Sequence, residues 1–224
     1  MAERRQLVLD LPHRTALGRE DFYVTHCNQE ALAFIDRWPN WPSPLAVLCG
    51  PPGCGKSHLA AVWQEQIGAT SLEQVDFHSV ISRIGPQECC FVVDLADGVA
   101  DEEAFFHLFN RVAEQGGGIL ATAPSPPARW TITLADLASR LRAAPVLNIG
   151  QADDELLEAV LIKLFADRQL RIEPGVVGYL LRRMDRSLGA ARDLVADLDK
   201  AALAEHRTIS VPFARSILEA SQSS

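Results

Sequence analysis

Eight residues constrain this chain more than any others: Gly50-Pro51-Pro52-Gly53-Cys54-Gly55-Lys56-Ser57. They fit the pattern G-x-x-x-x-G-K-[ST] in full. A continuous apolar run, Leu45-Ala46-Val47-Leu48-Cys49, precedes them, and helical spacing from Lys56 to about Ile67 follows. A strand buried on both faces, a glycine-rich turn and a helix, in that order, make a cradle for phosphate groups. The glycines let backbone N–H groups turn inward, Lys56 is set against the β- and γ-phosphates, and the Ser57 hydroxyl can ligate Mg²⁺. His58, the next residue, is counted with the nucleotide-binding set.

The alternation of strand and helix continues. CCFVVD (89–94), GILATA (118–123) and PVLNI (145–149) read as further buried strands. Helical spacing covers 101–115, with Phe105, Phe106, Leu108, Phe109 and Val112, and 134–141. A helix before the first strand starts at Asn28, a plausible cap, and stops before Pro39. Four strands alternating with helices predict an α/β core with a parallel sheet between helices. After Gly150 the spacing is helical throughout, except for a short extended piece at 208–211. Residues 1–14 read as an extended arm, 15–150 as the α/β core and 151–224 as a small α-helical subdomain.

Composition narrows the function classes. The 224 residues carry 21 basic and 29 acidic side chains, a formal net charge of −8, with a pI near 5.2. A general basic DNA-binding domain is disfavoured, since phosphate neutralisation needs excess Lys and Arg on one face. No apolar run reaches the roughly 18–20 residues that span a bilayer, and the amino terminus lacks a signal-peptide pattern. Cys27, Cys49, Cys54, Cys89 and Cys90 are odd in number and form no C-x-x-C pair. They read as reduced thiols of a cytoplasmic protein.

A phosphate loop needs an acidic partner at the tip of another strand. Asp94, ending Phe91-Val92-Val93, is placed to hold Mg²⁺ through water. Hydrolysis usually takes a second acid beside it to orient the attacking water, and that position is Leu95. Asp97 is the nearest substitute. The chain is expected to bind nucleotide well and to turn it over slowly or not at all.

Gly50–Ser57, Asp94, FFHLFNR (105–111), DLASRL (136–141) and GAARDL (189–194) come in the order found in AAA+ ATPases of the DnaA branch. Nearly the whole chain resembles the Hda-like members of that branch, in their alphaproteobacterial form. Such proteins keep the AAA+ core and helical lid and lack the initiator's DNA-binding domain, which fits the negative charge. The resemblance implies that Arg140 is an arginine finger reaching a neighbouring subunit's nucleotide. It implies that Arg192 is the sensor 2 arginine, touching the phosphates of its own nucleotide from the lid. It also implies that Tyr23 and Val24 line the adenine pocket. The sensor 1 strand departs from the pattern: it reads Ala121-Thr122-Ala123-Pro124-Ser125, without the Asp or Asn expected there, and Thr122 is the candidate that remains. Together with Leu95, this favours an ADP-liganded regulatory subunit over a motor.

The arm contains Gln6-Leu7-Val8-Leu9-Asp10-Leu11, which resembles the peptide that grips the sliding clamp of DNA polymerase III, its β subunit. Leu7, Leu9 and Leu11 can enter an apolar groove while the Gln6 amide makes directional hydrogen bonds. A homodimer would engage two such grooves at once. The implied function is to bind the clamp and stimulate hydrolysis of DnaA-bound ATP, so that initiation of replication is suppressed. The implied cofactors are ADP (or ATP) and Mg²⁺, with no direct sequence-specific DNA binding and no membrane partner. The alternative is an autonomous AAA+ ATPase, such as a helicase loader or remodelling motor. Trp38, Trp41, Trp63 and Trp130 read as core and loop packing rather than as a stacking platform, since no basic cluster surrounds them.

Overall fold

A computed structural model of the chain describes Arg19 and residues 22–96, 98–205 and 207–221. Gln6, Leu7, Leu9 and Leu11, the residues expected to bind the clamp, and also Asp97, lie outside the described residues.

The elements run α1 (Gln29–Ile35), β1 (Leu45–Cys49), α2 (Lys56–Ile67), β2 (Thr70–Leu72), α3 (Phe77–Ile81), β3 (Cys90–Asp94), α4 (Glu102–Glu114), β4 (Gly118–Ala123), α5 (Ala135–Ala143) and β5 (Val146–Asn148). The five strands form one parallel sheet in the order β2-β3-β4-β1-β5. The sequence reading has four of these strands and lacks β2. That strand is three residues long at the sheet edge and buries only Leu72, so it has too little apolar pattern to be read. Helix α3 was also not foreseen.

β1 and β4 lie inside the sheet, and every residue of both is buried. This is why they read as continuous apolar runs rather than alternating ones. Their side chains still alternate between faces. Leu45 and Val47 join Phe77, Phe105, Leu108 and Leu141, from α3, α4 and α5, on one face. Ala46 and Leu48 join Leu32, Ile35, Leu59 and Trp63, from α1 and α2, on the other.

The second face also holds Trp38, Trp41 and Trp63. Trp41 stacks on Trp63 with centroids 5.1 Å apart, and Trp38 meets both edge-on. A Cβ on Gly118 would stand 2.5 Å from the Trp38 ring, so β4 begins with the residue that lets the indole lie flat on the sheet. Trp130 packs on the first face and donates its indole N–H to the Ser125 carbonyl.

Helices α6 (Asp154–Asp167), α7 (Val176–Leu181), α8 (Leu188–Glu205) and α9 (Val211–Ser221) build the lid around their own cluster, with Leu157, Leu161, Phe165, Leu180, Val195 and Leu198 at its centre. The extended piece near Thr208 makes a parallel bridge, Ile172 to Ile209. Asp101 and Asp153 cap α4 and α6 by accepting from Ala104 N and Leu156 N. Asn28 does not cap α1 with its side chain. Its amide is turned back instead, donating to the Tyr23 carbonyl and accepting from Thr25 N.

Candidate nucleotide-binding site

The phosphate loop leaves the C-terminal end of β1 and runs straight into α2. Gly53 and Gly55 have φ of +70° and +106°, the left-handed region that glycine tolerates and other residues avoid. Gly50 has no room for a Cβ between the Ile149 carbonyl and the Cys54 sulfur. Lys56 Nζ donates to the carbonyls of Gly50 (2.8 Å) and Pro51 (2.9 Å), so the ammonium is held over the loop. No side chain caps the start of α2. Its first-turn N–H groups and the helix dipole therefore favour an anion there.

The lid rests directly on this loop. Leu188 N donates to the Gly53 carbonyl at 2.9 Å, and a Cβ on Gly53 would stand 2.9 Å from Ser187 Cβ. Ser187 also caps α8 by accepting from Ala190 N. Between core and lid lies a narrow cleft of about 60 Å³. Phe22, Tyr23 and Asn28 line it from the entry segment, and Cys54, Gly55 and His58 from the loop and α2. Leu156, Val160, Lys163, Leu164 and Asp167 come from α6, and Leu188 and Arg192 from α8. Phe22 meets the His58 ring edge-on, 5.2 Å between centroids. An apolar wall of Phe22, Tyr23, Leu156 and Val160 beside a cationic, glycine-lined end suits a planar base joined to phosphates.

The structure therefore gathers Tyr23, His58, the loop and Arg192 around one cleft. Val24 is 49% exposed and is not among the lining residues. Sequence reasoning missed Asn28, which is buried and fixes the backbone at Tyr23. It also missed the α6 residues. Their spacing, 156-160-163-164-167, is one helix face, and Lys163 and Asp167 inside an apolar stripe were the available signal.

Asp94 ends β3 with its carboxylate exposed, and Ser57 is exposed on the first turn of α2. A carboxylate and a hydroxyl are hard oxygen donors. Mg²⁺ usually takes one or two carboxylates, waters and phosphate oxygens, so this donor set fits it. Thr122 Oγ1 donates to Asp94 Oδ1 at 2.7 Å. Leu95 is buried in the core cluster under the sheet, 1% exposed, and its N–H donates to the Thr122 carbonyl. Burial pushes the Cys49 thiol up to about 11 and raises Cys54 as well, so both stay protonated and inert near neutral pH.

Arg140 is not in the cleft. It is exposed on α5, its guanidinium carbon 5.5 Å from the centroid of the Phe109 ring on α4. Glu102, in the first turn of α4, accepts from Thr133 N, Thr133 Oγ1 and Leu134 N and so fixes the start of α5. Backbone and side-chain hydrogen bonds from Thr133 and Leu134 hold its carboxyl below the usual range.

The family model described as "Hda, lid domain" matches residues 153–218. An uncharacterized protein of Haemophilus influenzae is 26% identical over 188 residues, 78% of this chain and 81% of that protein. Domain III of the Thermotoga maritima replication initiation protein DnaA superposes with a TM-score of 0.79 at 15% identity, over 91% of this chain and 95% of that one. AMPPCP-bound DnaA from Aquifex aeolicus gives 0.64 at 18% identity, over 83% and 65%. A Thermotoga maritima RuvB gives 0.61 at 15% identity, over 78% and 61%.

Proposed function

We propose that this chain, whose residues 153–218 match the Hda lid-domain model and whose fold is that of DnaA domain III, is an Hda-type AAA+ protein and a cytoplasmic regulator of replication initiation that stimulates hydrolysis of DnaA-bound ATP. One observation carries the reading. An Hda-type lid is hydrogen-bonded to a complete phosphate loop, while the position beside Asp94 is a core leucine. Such a site can hold a nucleotide but has no acid at position 95 to activate water.

The chain's own nucleotide, ADP or ATP with Mg²⁺, is then structural. Arg192 and the loop grip its phosphates, and Tyr23 and His58 stand beside the base. Filling the cleft joins core and lid and so sets the surface shown to DnaA. Arg140 supplies the chemistry in trans. Its guanidinium, carried on the Phe109 ring, stabilises charge on the phosphoryl group leaving DnaA's ATP, and such fingers are worth roughly 10³–10⁵ in rate. Gln6, Leu7, Leu9 and Leu11 hold the chain to the sliding clamp, and two chains as a homodimer would raise the avidity.

The test is hydrolysis of ATP pre-bound to DnaA, with and without this chain and clamp-loaded DNA. We expect acceleration that needs the clamp and is lost in Gln6→Ala and in Arg140→Ala. No acceleration, with rapid turnover by this chain alone, would overturn the reading.

A further inference from the structure

Thr122 is the polar residue on β4 that could face a γ-phosphate, and the structure gives its hydroxyl different work. On adjacent parallel strands, Thr122 of β4 stands in register with Asp94 of β3. The threonine is 4% exposed. A hydroxyl has one hydrogen to give, and here it goes to Asp94 Oδ1 at 2.7 Å. That is the short, charge-assisted kind of bond. The same hydrogen cannot also be donated to a γ-phosphate oxygen.

Asp94 is fixed from other sides too. The next N–H, of Leu95, donates to the Thr122 carbonyl at 2.8 Å. Gln74 Nε2 donates to the Asp94 carbonyl (3.2 Å) and to that of Gly98 (3.0 Å), while Gln74 Oε1 accepts from Ala100 N. The strand end and the loop after it are thus stitched down, and one carboxylate oxygen is anchored. The other oxygen remains available to a metal ion or its water.

We infer that Thr122 is a positioning residue for the metal-binding carboxylate of Asp94 and not a sensor of the γ-phosphate. The inference rests on the nucleotide reading above. The hydroxyl on β4 that could report on the third phosphate is committed to the metal side of the site.

Mn²⁺ and ADP are the probes. Mn²⁺ affinity is measured by electron paramagnetic resonance with the chain saturated by ADP, and the ADP-to-ATPγS affinity ratio by competition against a fluorescent ADP. Thr122→Val removes the donor at constant shape, and Thr122→Ser keeps it. Loss of such outer-shell partners typically weakens a metal site 10–100-fold. We expect Mn²⁺ binding to weaken about tenfold or more in Thr122→Val and to be nearly normal in Thr122→Ser. The ADP-to-ATPγS ratio should be unchanged in both. Unchanged Mn²⁺ affinity in Thr122→Val, or a shifted nucleotide ratio, would overturn the inference. Should Thr122→Val fail to fold, Thr122→Ala reads the same two quantities. A wild-type chain that binds ADP but gathers no Mn²⁺ beside it overturns the inference alone. One that binds no ADP overturns the nucleotide reading beneath it.

Discussion

Leu95 is held too deep in the core for an acid to be restored there by one substitution. It packs with Phe91, Val93 and Ala121 under the sheet, and its backbone is tied to Thr122. A glutamate at this position faces two poor choices. Ionised, it is a buried charge without a partner, which costs several kcal/mol; protonated, it is no base. Leu95→Glu is therefore expected to destabilise the fold by roughly 3 kcal/mol or more and to give no ATPase. Thermal melts and steady-state phosphate release check both halves, and turnover above about 1 s⁻¹ would show that the carboxylate can reach the nucleotide after all. At this scale the sequence was informative where chemistry is local. Lys56, Ser57 and Asp94 are legible because motif and flanking pattern coincide. The hydrogen bond from Thr122 to Asp94 joins residues 28 positions apart and depends on strand register, which no spacing within one strand reveals. The turned-back amide of Asn28 was misread for a similar reason, since a helix cap and a clasp on the preceding turn use the same residue at the same place.

Between elements, the pair α4 and α5 decides where Arg140 is presented. Glu102 grips the start of α5, and Phe109, two turns along α4, carries the guanidinium. Cation–π support of this kind holds a long side chain over one ring face. Hydrogen bonds from Thr133 and Leu134 lower the Glu102 carboxyl below its ordinary 4.5. A depressed folded-state value means the grip is fully present above about that pH and is lost as pH falls through the lower folded value. Asp101, lowered by Ala104 N and by His78, acts in the same acid window. Glu102→Gln should therefore flatten the acid limb of the stability curve below the ordinary carboxylate range and leave the neutral limb little changed in slope. Under the proposed function, at neutral pH it should reduce stimulation of DnaA several-fold without weakening nucleotide binding. Melting temperature followed from pH 7 to pH 3, beside the two functional assays, decides this. An unchanged acid limb would mean that the helix start is held by packing alone. Long elements such as α4 and α6 were legible because they show several turns of apolar periodicity. β2 and α3 span 3 and 5 residues, and their placement follows from neighbours already in position.

Across the whole molecule, stability and ligand binding meet at the cleft. The core holds two apolar clusters, one on each face of the sheet, and the lid holds a third. Core and lid are joined by the hydrogen bond from Leu188 N to the Gly53 carbonyl and by close packing of Ser187 and Leu188 on the two loop glycines. A ligand lodged between Tyr23, the loop and Arg192 touches both parts, so it binds the folded, closed arrangement in preference to the unfolded chain. Linkage then requires that ADP raise the melting temperature, with a gain of about 2.7 kcal/mol at a hundredfold excess over Kd. Arg192 separates the ligand's contribution from the protein's own. It is half-buried on α8 and enters none of the ion pairs found among the described residues. Its contribution is expected only when phosphates are present. Arg192→Ala should leave the ligand-free stability within about 0.5 kcal/mol of wild type, as changes away from packed or paired groups do, while shifting the ADP dependence to roughly tenfold higher concentration, one decade per 1.4 kcal/mol. Differential scanning fluorimetry across an ADP series reads both quantities in one experiment. If Arg192→Ala lowers the ligand-free melting temperature and leaves the ADP dependence in place, the arginine is holding the lid together, and the phosphates must be gripped by the loop and Lys56 alone.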